Sequence, residues 1–380
     1  LAVELVEFQH RRLKSGWEKN EAFAVFGVRP IFRRPRMFSR GRQMPAIYES
    51  AMTRALEIAL RGPAFGVNPQ VGAVILDESL NIVSEGWHEG AGTPHAEVMA
   101  LSKLPVTLPA GYTAVVTLEP CNHTGRTGPC AQALIAAGIS RVVYASSDPG
   151  VESGSGASTL RAAGVEVISG VLESLADDQS RVWLTSAQNQ RPFVTLKWAQ
   201  SLDGRAAAAD GSSQWISGPE SRAHAHLLRS EIDAILVGTG TVLADNPSLT
   251  ARKPDGSLYP HQPLRVVMGN SMIPNDAKVF DSSAETIRVR NHDVTVLLAE
   301  LYARGVKHVM VEGGPTVASA FVRAGLVDEF VTYVAPQLIG GPGLAVTDLG
   351  VENMASAYQL TFKEVTPMGA DIFIRAARSN

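Results

Sequence analysis

Only two of the 380 residues are cysteine, Cys121 and Cys130, so at most one disulfide could form. No apolar run approaches the ~20 residues that a membrane-spanning helix needs, and no charged-then-apolar leader opens the sequence. Both absences point to a cytoplasmic protein with reduced thiols. No G-x-G-x-x-G occurs, which leaves a Rossmann dinucleotide site unsupported. Internal repeats are lacking too, and low complexity is confined to a short Gly/Ser stretch at 153–158. Net charge is unevenly placed along the chain. Residues 1–44 hold ten Lys or Arg against four Glu, a net of +6, which leaves −9 on the remainder of a chain whose total is −3. An acidic body argues against a nucleic-acid surface. What is present is 45% hydrophobic and 19% charged, over a length that allows two domains with cores of their own.

Both cysteines lie close to a His-x-Glu. His95-Ala96-Glu97 precedes Thr117-Leu118-Glu119-Pro120-Cys121, and Cys130 follows. One imidazole and two thiolates make a three-ligand zinc set. Structural zinc is closed by four protein ligands, whereas catalytic zinc keeps a position open for water. An open zinc lowers the pKa of its water from ~16 towards ~7, and a neighbouring carboxylate, here Glu97, can carry the proton to a leaving amine. H-x-E with P-C-x-x-C is the signature of zinc base deaminases. This chain departs from it by inserting Asn122 to Pro129 between the cysteines, which places His123 and Arg126 where they could meet an anionic substrate. The rival reading, a zinc-stapled scaffold without activity, needs a fourth ligand, for which only His88 or His123 is available.

Along the chain, residues 1–44 show no helical period or strand alternation. They read as a disordered extension, or as sequence upstream of a start at Met37, Met44 or Met52. Met52, Ala55, Leu56, Ala59 and Leu60 recur at helical spacing up to Gly62-Pro63. Buried strands are expected at 71–76 and 113–118, with another ending near Trp87. Strand 141–145, a helix over 159–163 and strand 165–168 complete an alternating α/β layer. Residues 95 and 97 would face about 200° apart in a full helix, so both can address one metal only at an irregular first turn after Gly92-Thr93-Pro94. Cys130 opens a helix ended by Gly138. A polar helical stretch at 172–191 ends at Gln190-Arg191-Pro192, the expected domain boundary. Beyond it, strands are expected at 234–237, 264–268, 294–298 and 308–311, with a hairpin over about 359–376. The turns Gly238-Thr239-Gly240-Thr241 and Glu312-Gly313-Gly314-Pro315-Thr316 could present backbone N–H groups to a phosphate, or simply make tight strand-to-helix connections.

Leu118-Glu119-Pro120-Cys121-Asn122-His123-Thr124-Gly125-Arg126-Thr127 with Pro129-Cys130 resembles the deaminase half of the bifunctional RibD-type enzymes of riboflavin biosynthesis. Four further segments resemble the reductase half: Leu196-Lys197 with Ser201-Leu202-Asp203-Gly204, Ser213-Gln214-Trp215-Ile216, the run from Thr241 to Arg252, and Glu312 to Thr316. The resemblance implies an α/β chain. A cytidine-deaminase-like three-layer zinc domain over 45–190 would precede a dihydrofolate-reductase-like domain over 191–380 that uses NADPH. It places the zinc ligands at His95, Cys121 and Cys130 and the proton shuttle at Glu97. NADPH contacts fall on Ala199, Trp215, Thr241, Asp245, Gly314, Pro315 and Thr316. Contacts to a phosphorylated pyrimidine fall on Asn68, His88, His123 and Arg126 in the first half, and on Ser213, Arg229, Leu249, Arg252 and Glu312 in the second. Neither nucleic acid nor membrane is an expected partner, and a homo-oligomer through the reductase domain is allowed. Two departures stand out: Gly150-Val151 follows Asp148-Pro149 where the family usually continues Asn-Pro, and Gly128 replaces a common proline. A nucleoside or RNA deaminase carrying an unrelated second module is the enzymatic rival.

Overall fold

The computed structural model describes residues 46–124, 128–150 and 153–379. The first segment, 1–44, therefore lies outside the described residues, as do Arg126 and Val151. Five strands form the first sheet: β1 (Gly72–Leu76), β2 (Ile82–Trp87), β3 (Thr113–Leu118), β4 (Arg141–Ser146) and β5 (Glu166–Ser169). Their order is β2-β1-β3-β4-β5, antiparallel around β1 and parallel from β3 to β5. Strands β1 and β3 are buried along their whole length, as their continuous apolar runs require.

Alternation then sorts the side chains of this sheet onto two faces. Val74, Leu76, Val115 and Val143 pack against Met52, Ala55 and Leu56 of helix α1 (Glu49–Ala59). Ala73, Ile75, Ala114, Val116 and Val142 face three helices: α2 (Ala96–Leu101), α3 (Cys130–Ala136) and α4 (Gly156–Ala162). The result is three layers, helix on sheet on helix. Two glycines let the layers touch at backbone distance. A Cβ on Gly86 would collide with the Ala96 carbonyl of α2, and one on Gly156 with the Pro120 carbonyl.

Helices α5 (Glu173–Gln179) and α6 (Arg181–Asn189) lead into the second sheet. Its strands are β6 (Phe193–Ser201), β7 (Ala234–Gly238), β8 (Leu264–Met268), β9 (Thr286–Val289), β10 (His308–Val311), β11 (Glu329–Ala335), β12 (Leu360–Met368) and β13 (Asp371–Arg378). The order is β12-β13-β11-β6-β10-β7-β8-β9, parallel from β11 to β9, with the terminal hairpin added antiparallel. Four helices join the strands: α7 (Pro219–Arg229), α8 (Thr239–Asp245), α9 (Val294–Ala303) and α10 (Pro315–Arg323). Val194, Leu196, Val309 and Val311 bury one face against α9 and α10, and Ile235, Val237, Val267 and Met310 the other against Val242 and Leu249.

One expected strand is wrong: residues 294–298 belong to helix α9. Their β-branched run imitates a strand, but the Asp293 carboxylate accepts from the Thr295 and Val296 N–H groups at 2.9 and 3.1 Å and starts a helix. Val294, Leu297, Leu298 and Leu301 then enter the core at helical spacing. Strands β9 and β11 and helix α7 were not foreseen. Gly218-Pro219, a proline at the first helical position, was the available signal for α7.

Candidate active site

The metal-binding group is assembled from element ends. His95 is the N-cap of α2, with an extended backbone (φ −69°, ψ 160°), so its ring leaves the helix while Glu97 stays in the first turn. The irregular first turn expected from the sequence is thus present. Cys121 follows the end of β3, and Cys130 is the first residue of α3. His95 Nδ1 lies 3.2 Å from Cys130 Sγ and 3.5 Å from Cys121 Sγ. A tetrahedral zinc with N at ~2.0 Å and S at ~2.3 Å sets such donors about 3.5 Å apart, so the three atoms fit the ion. Among the described residues this is the only metal-capable group of three His, Cys, Asp or Glu side chains.

Hydrogen bonds from Cys130 and from His95 hold the Cys121 thiol well below its ordinary range, against the effect of burial. Glu97 is 4% exposed, and burial, together with the Cys121 charge, pushes its carboxyl up. Both nitrogens of His88 are occupied: Asn68 Nδ2 donates to Nε2 at 2.9 Å, and Nδ1 donates to the Pro94 carbonyl at 3.1 Å. Burial lowers the pKa of this ring, which suits the neutral form that the two bonds require. The ring stands edge-on to His95, centroids 5.4 Å apart, so Asn68 and His88 belong to the same cluster as the metal donors. His123 Nδ1 is buried and has no hydrogen-bond partner among the described residues. Glu119, two residues before Cys121, adds a structural link. Its carboxylate accepts from Ala157 N–H at 2.9 Å and Asp148 N–H at 3.4 Å, tying the cysteine loop to the start of α4.

In the second half the expected residues gather at the carboxyl ends of the parallel strands. Glu312, just after β10, accepts from Arg229 Nε and Nη2 at 2.7 and 2.8 Å and from Lys197 Nζ at 3.2 Å. Its side chain is 8% exposed. Burial pushes this carboxyl up, yet the Arg229 and Lys197 charges outweigh it and hold Glu312 far below the ordinary range. Arg229 spends its remaining nitrogen on the Thr250 carbonyl at 3.2 Å, so its fork is committed to the protein. Arg252 is exposed. Burial, with the charges of Arg229 and Arg252 nearby, lowers His226 to about 4. Lys197, on β6, is a further residue of this site, beyond those the resemblance implies. A lone lysine directly after the run Phe193-Val194-Thr195-Leu196 is the sequence signal for it.

Thr241 Oγ1 accepts from the Gly314 N–H at 3.0 Å, which brings the two glycine turns together. Neither α8 nor α10 has a side-chain cap at its N-terminus, and a Cβ on Gly240 would meet nothing within 4 Å. Open space under uncapped N–H groups is what a phosphate of a dinucleotide needs. Ser213 Oγ donates to Asp245 Oδ1 at 3.2 Å, and Trp215 is exposed with the Arg222 guanidinium 4.6 Å from its ring centre. Leu249 is buried at φ +53°, and Ala199 sits on β6 opposite Tyr333.

Two known domain families match this sequence. The cytidine and deoxycytidylate deaminase zinc-binding region matches residues 45–146, and the RibD C-terminal domain matches residues 192–374. The riboflavin biosynthesis protein RibD of Mycobacterium tuberculosis is 51% identical over 307 residues, covering 80% of this chain and 90% of that one. The chain belongs to the RibD family. The RibD structure of Acinetobacter baumannii superposes with a TM-score of 0.81 at 34% identity, covering 89% of this chain and all of that one. A Thermotoga maritima structure described as a diaminohydroxyphosphoribosylaminopyrimidine deaminase/5-amino-6-(5-phosphoribosylamino)uracil reductase reaches 0.78 at 33% identity, over 89% of this chain and all of that one. The protein is therefore a bifunctional enzyme of riboflavin biosynthesis, with a zinc-binding deaminase domain and a reductase domain that uses NADPH. The rival with an unrelated second module is overturned by the match over 192–374, and the inactive scaffold with it. Among the described residues no helix is long and apolar enough to cross a membrane.

Proposed function

We propose that the first half hydrolyses the ring amine of 2,5-diamino-6-ribosylamino-4(3H)-pyrimidinone 5-phosphate, and that the second half reduces the ribosyl group of the product to ribityl. The observation that carries this reading is Glu97, a carboxyl buried beside a three-donor His95/Cys121/Cys130 set. Zinc held there supplies the Lewis acidity that makes water a nucleophile near neutral pH, and NADPH supplies hydride for C1 of the opened ribosyl group. Glu97 takes a proton from the attacking water and delivers it to the departing amine, so ammonia leaves and a ring carbonyl remains. Asn68 reads the pyrimidine edge with its remaining amide groups, held in place by His88, whose two ring nitrogens are already bonded; His123 and Arg126 meet the phosphate.

In the reductase half, Arg229 and Lys197 hold Glu312 ionised and still, so that its free lone pairs can accept from ribose hydroxyls. The phosphate then falls to Arg252, with Ser213 and Leu249 completing the substrate side. Ala199, Trp215, Thr241, Asp245 and the Gly314-Pro315-Thr316 turn hold the cofactor. A homo-oligomer through this half is part of the reading, because strand β12 at the sheet edge exposes Phe362 (68%) and Val365 (56%). A cytoplasmic location without nucleic-acid partners suits the acidic body and the reduced thiols.

Metal analysis with paired assays tests the reading. Cys130→Ser is expected to lose zinc and ammonia release, while NADPH oxidation continues when the deaminated pyrimidine is supplied. Stoichiometric zinc with full ammonia release in that variant would overturn the ligand assignment.

A further inference from the structure

The loop that carries Asn68 is held in place by α6 and, at Phe65 and Gly66, by the other half of the chain. Phe65 stacks flat on His261, with centroids 3.5 Å apart and planes within 5°. The N–H of Gly66 donates to Asp233 Oδ1 at 2.6 Å. The carbonyl of Val67 accepts from Trp183 Nε1, on α6, at 3.1 Å. Val67 also lies where a Cβ on Gly305 would come within 3.1 Å of it. The next residue is Asn68, whose amide donates to His88 in the deaminase cluster. Three consecutive residues before a proposed substrate contact are thus fixed by side chains outside the deaminase sheet.

The anchors are rigid in turn. Asp233 Oδ2 accepts from the Lys307 and His308 N–H groups at 2.7 and 2.9 Å, which ties the carboxylate to the start of β10. His261 Nε2 donates to the Ile232 carbonyl at 2.8 Å. One carboxylate therefore joins the amino edge of the reductase sheet to the Asn68 loop. A charge-assisted bond to a backbone N–H is among the stronger hydrogen bonds, and a loop without regular structure otherwise opens easily.

We propose that Asp233, assisted by His261, is a positioning residue for deamination: the reductase half sets the loop that presents Asn68 to the pyrimidine ring. This rests on reading Asn68 as a substrate contact. In consequence the deaminase KM depends on reductase residues that touch neither substrate nor metal.

Asp233→Asn tests it in the full-length chain. The amide oxygen can satisfy the two β10 donors only by turning its NH2 towards Gly66 N–H, donor against donor. KM for ammonia release from the diaminopyrimidine substrate is expected to rise roughly tenfold or more. The kcat should stay within about twofold, with zinc content and NADPH oxidation on the deaminated pyrimidine unchanged. Asn68→Ala should raise the same KM, and the double variant should be no worse than Asn68→Ala alone, because Asp233 acts through Asn68. A raised KM in Asn68→Ala with none in Asp233→Asn, or additive effects, overturns the cross-domain route alone. A silent Asn68→Ala overturns the substrate contact and the route with it. Should Asp233→Asn fail to fold, His261→Ala and His261→Leu, which both remove the ring stacked on Phe65, replace it. Each is expected to raise KM roughly two- to tenfold, and silence in both overturns the proposal.

Discussion

The two sites of this chain are held by opposite means. In the deaminase half, His95 and Cys130 sit at helix starts and Cys121 at a strand end, on elements packed so closely that Gly86 and Gly156 admit no side chain. Donors that a metal will bridge are brought together by backbone geometry, and the metal finishes the site. In the reductase half an ion pair does the positioning: Glu312 is fixed by Arg229 from α7 and Lys197 from β6. A metal centre fails when a ligand is lost, whereas an ion-pair centre fails when a charge is left without its counterpart.

Glu97→Gln should show the largest effect and break the comparison on the deaminase side alone. It keeps the shape but cannot carry the proton, and loss of a general acid-base group typically costs about 10² to 10⁴ in rate. Ammonia release should fall by that factor, with zinc content and NADPH oxidation unchanged. Glu312→Gln breaks it on the other side. Removing one member of a buried ion pair costs about 3–5 kcal/mol because it strands the remaining charges. Urea unfolding should show that loss, and NADPH oxidation should collapse while zinc stays bound. The pH dependence follows from the direction of the shift. Glu312 is held below the ~4.3 of a free glutamate, so its contribution is complete above about pH 5 and is lost as pH falls through the folded value. Unfolding curves at successively lower pH should converge on those of Glu312→Gln only in strong acid.

A smaller effect separates the two arginines. Arg252→Ala removes an exposed charge and should raise the reductase KM roughly 10- to 150-fold, with the unfolding curve unmoved. If stability falls instead, Arg252 is a brace like Arg229. The smallest effect is expected from a chain shortened to begin at Met44. Residues 1–44 offer no packing face in their sequence, so both activities and the melting temperature should be retained. A large fall in melting temperature would show that the segment docks on the body.

The same contrast explains what could be read in the sequence. Two cysteines beside a His-x-Glu left only one zinc set to consider, and Thr113–Leu118 is a strand over the span expected from its apolar run. Lys197 and Arg229 are common residues whose roles depend on a partner more than 80 positions away, which no local pattern reveals. The resemblance put Arg229 among the substrate contacts, but only the three-dimensional neighbourhood shows its fork closed on Glu312 and Thr250. Residues 294–298 misled for a related reason. Their β-branched run fits a strand as well as a buried helix, and the Asp293 cap before it was the weaker local sign.

The six parallel strands of the second sheet all point the same way, and this polarity divides labour between its two rims. Glu312, Thr241 and Gly314 follow the strands and so gather where the chemistry is expected, as in other open α/β sheets. Asp233, Lys307 and Asp328 precede them, and the last of these clasps Arg191 at 2.6 and 2.7 Å where the chain enters the sheet. An engineer wishing to exchange the attached module would therefore redraw only the rim that precedes the strands. The rim that follows the strands, a strand's length away, would be inherited intact.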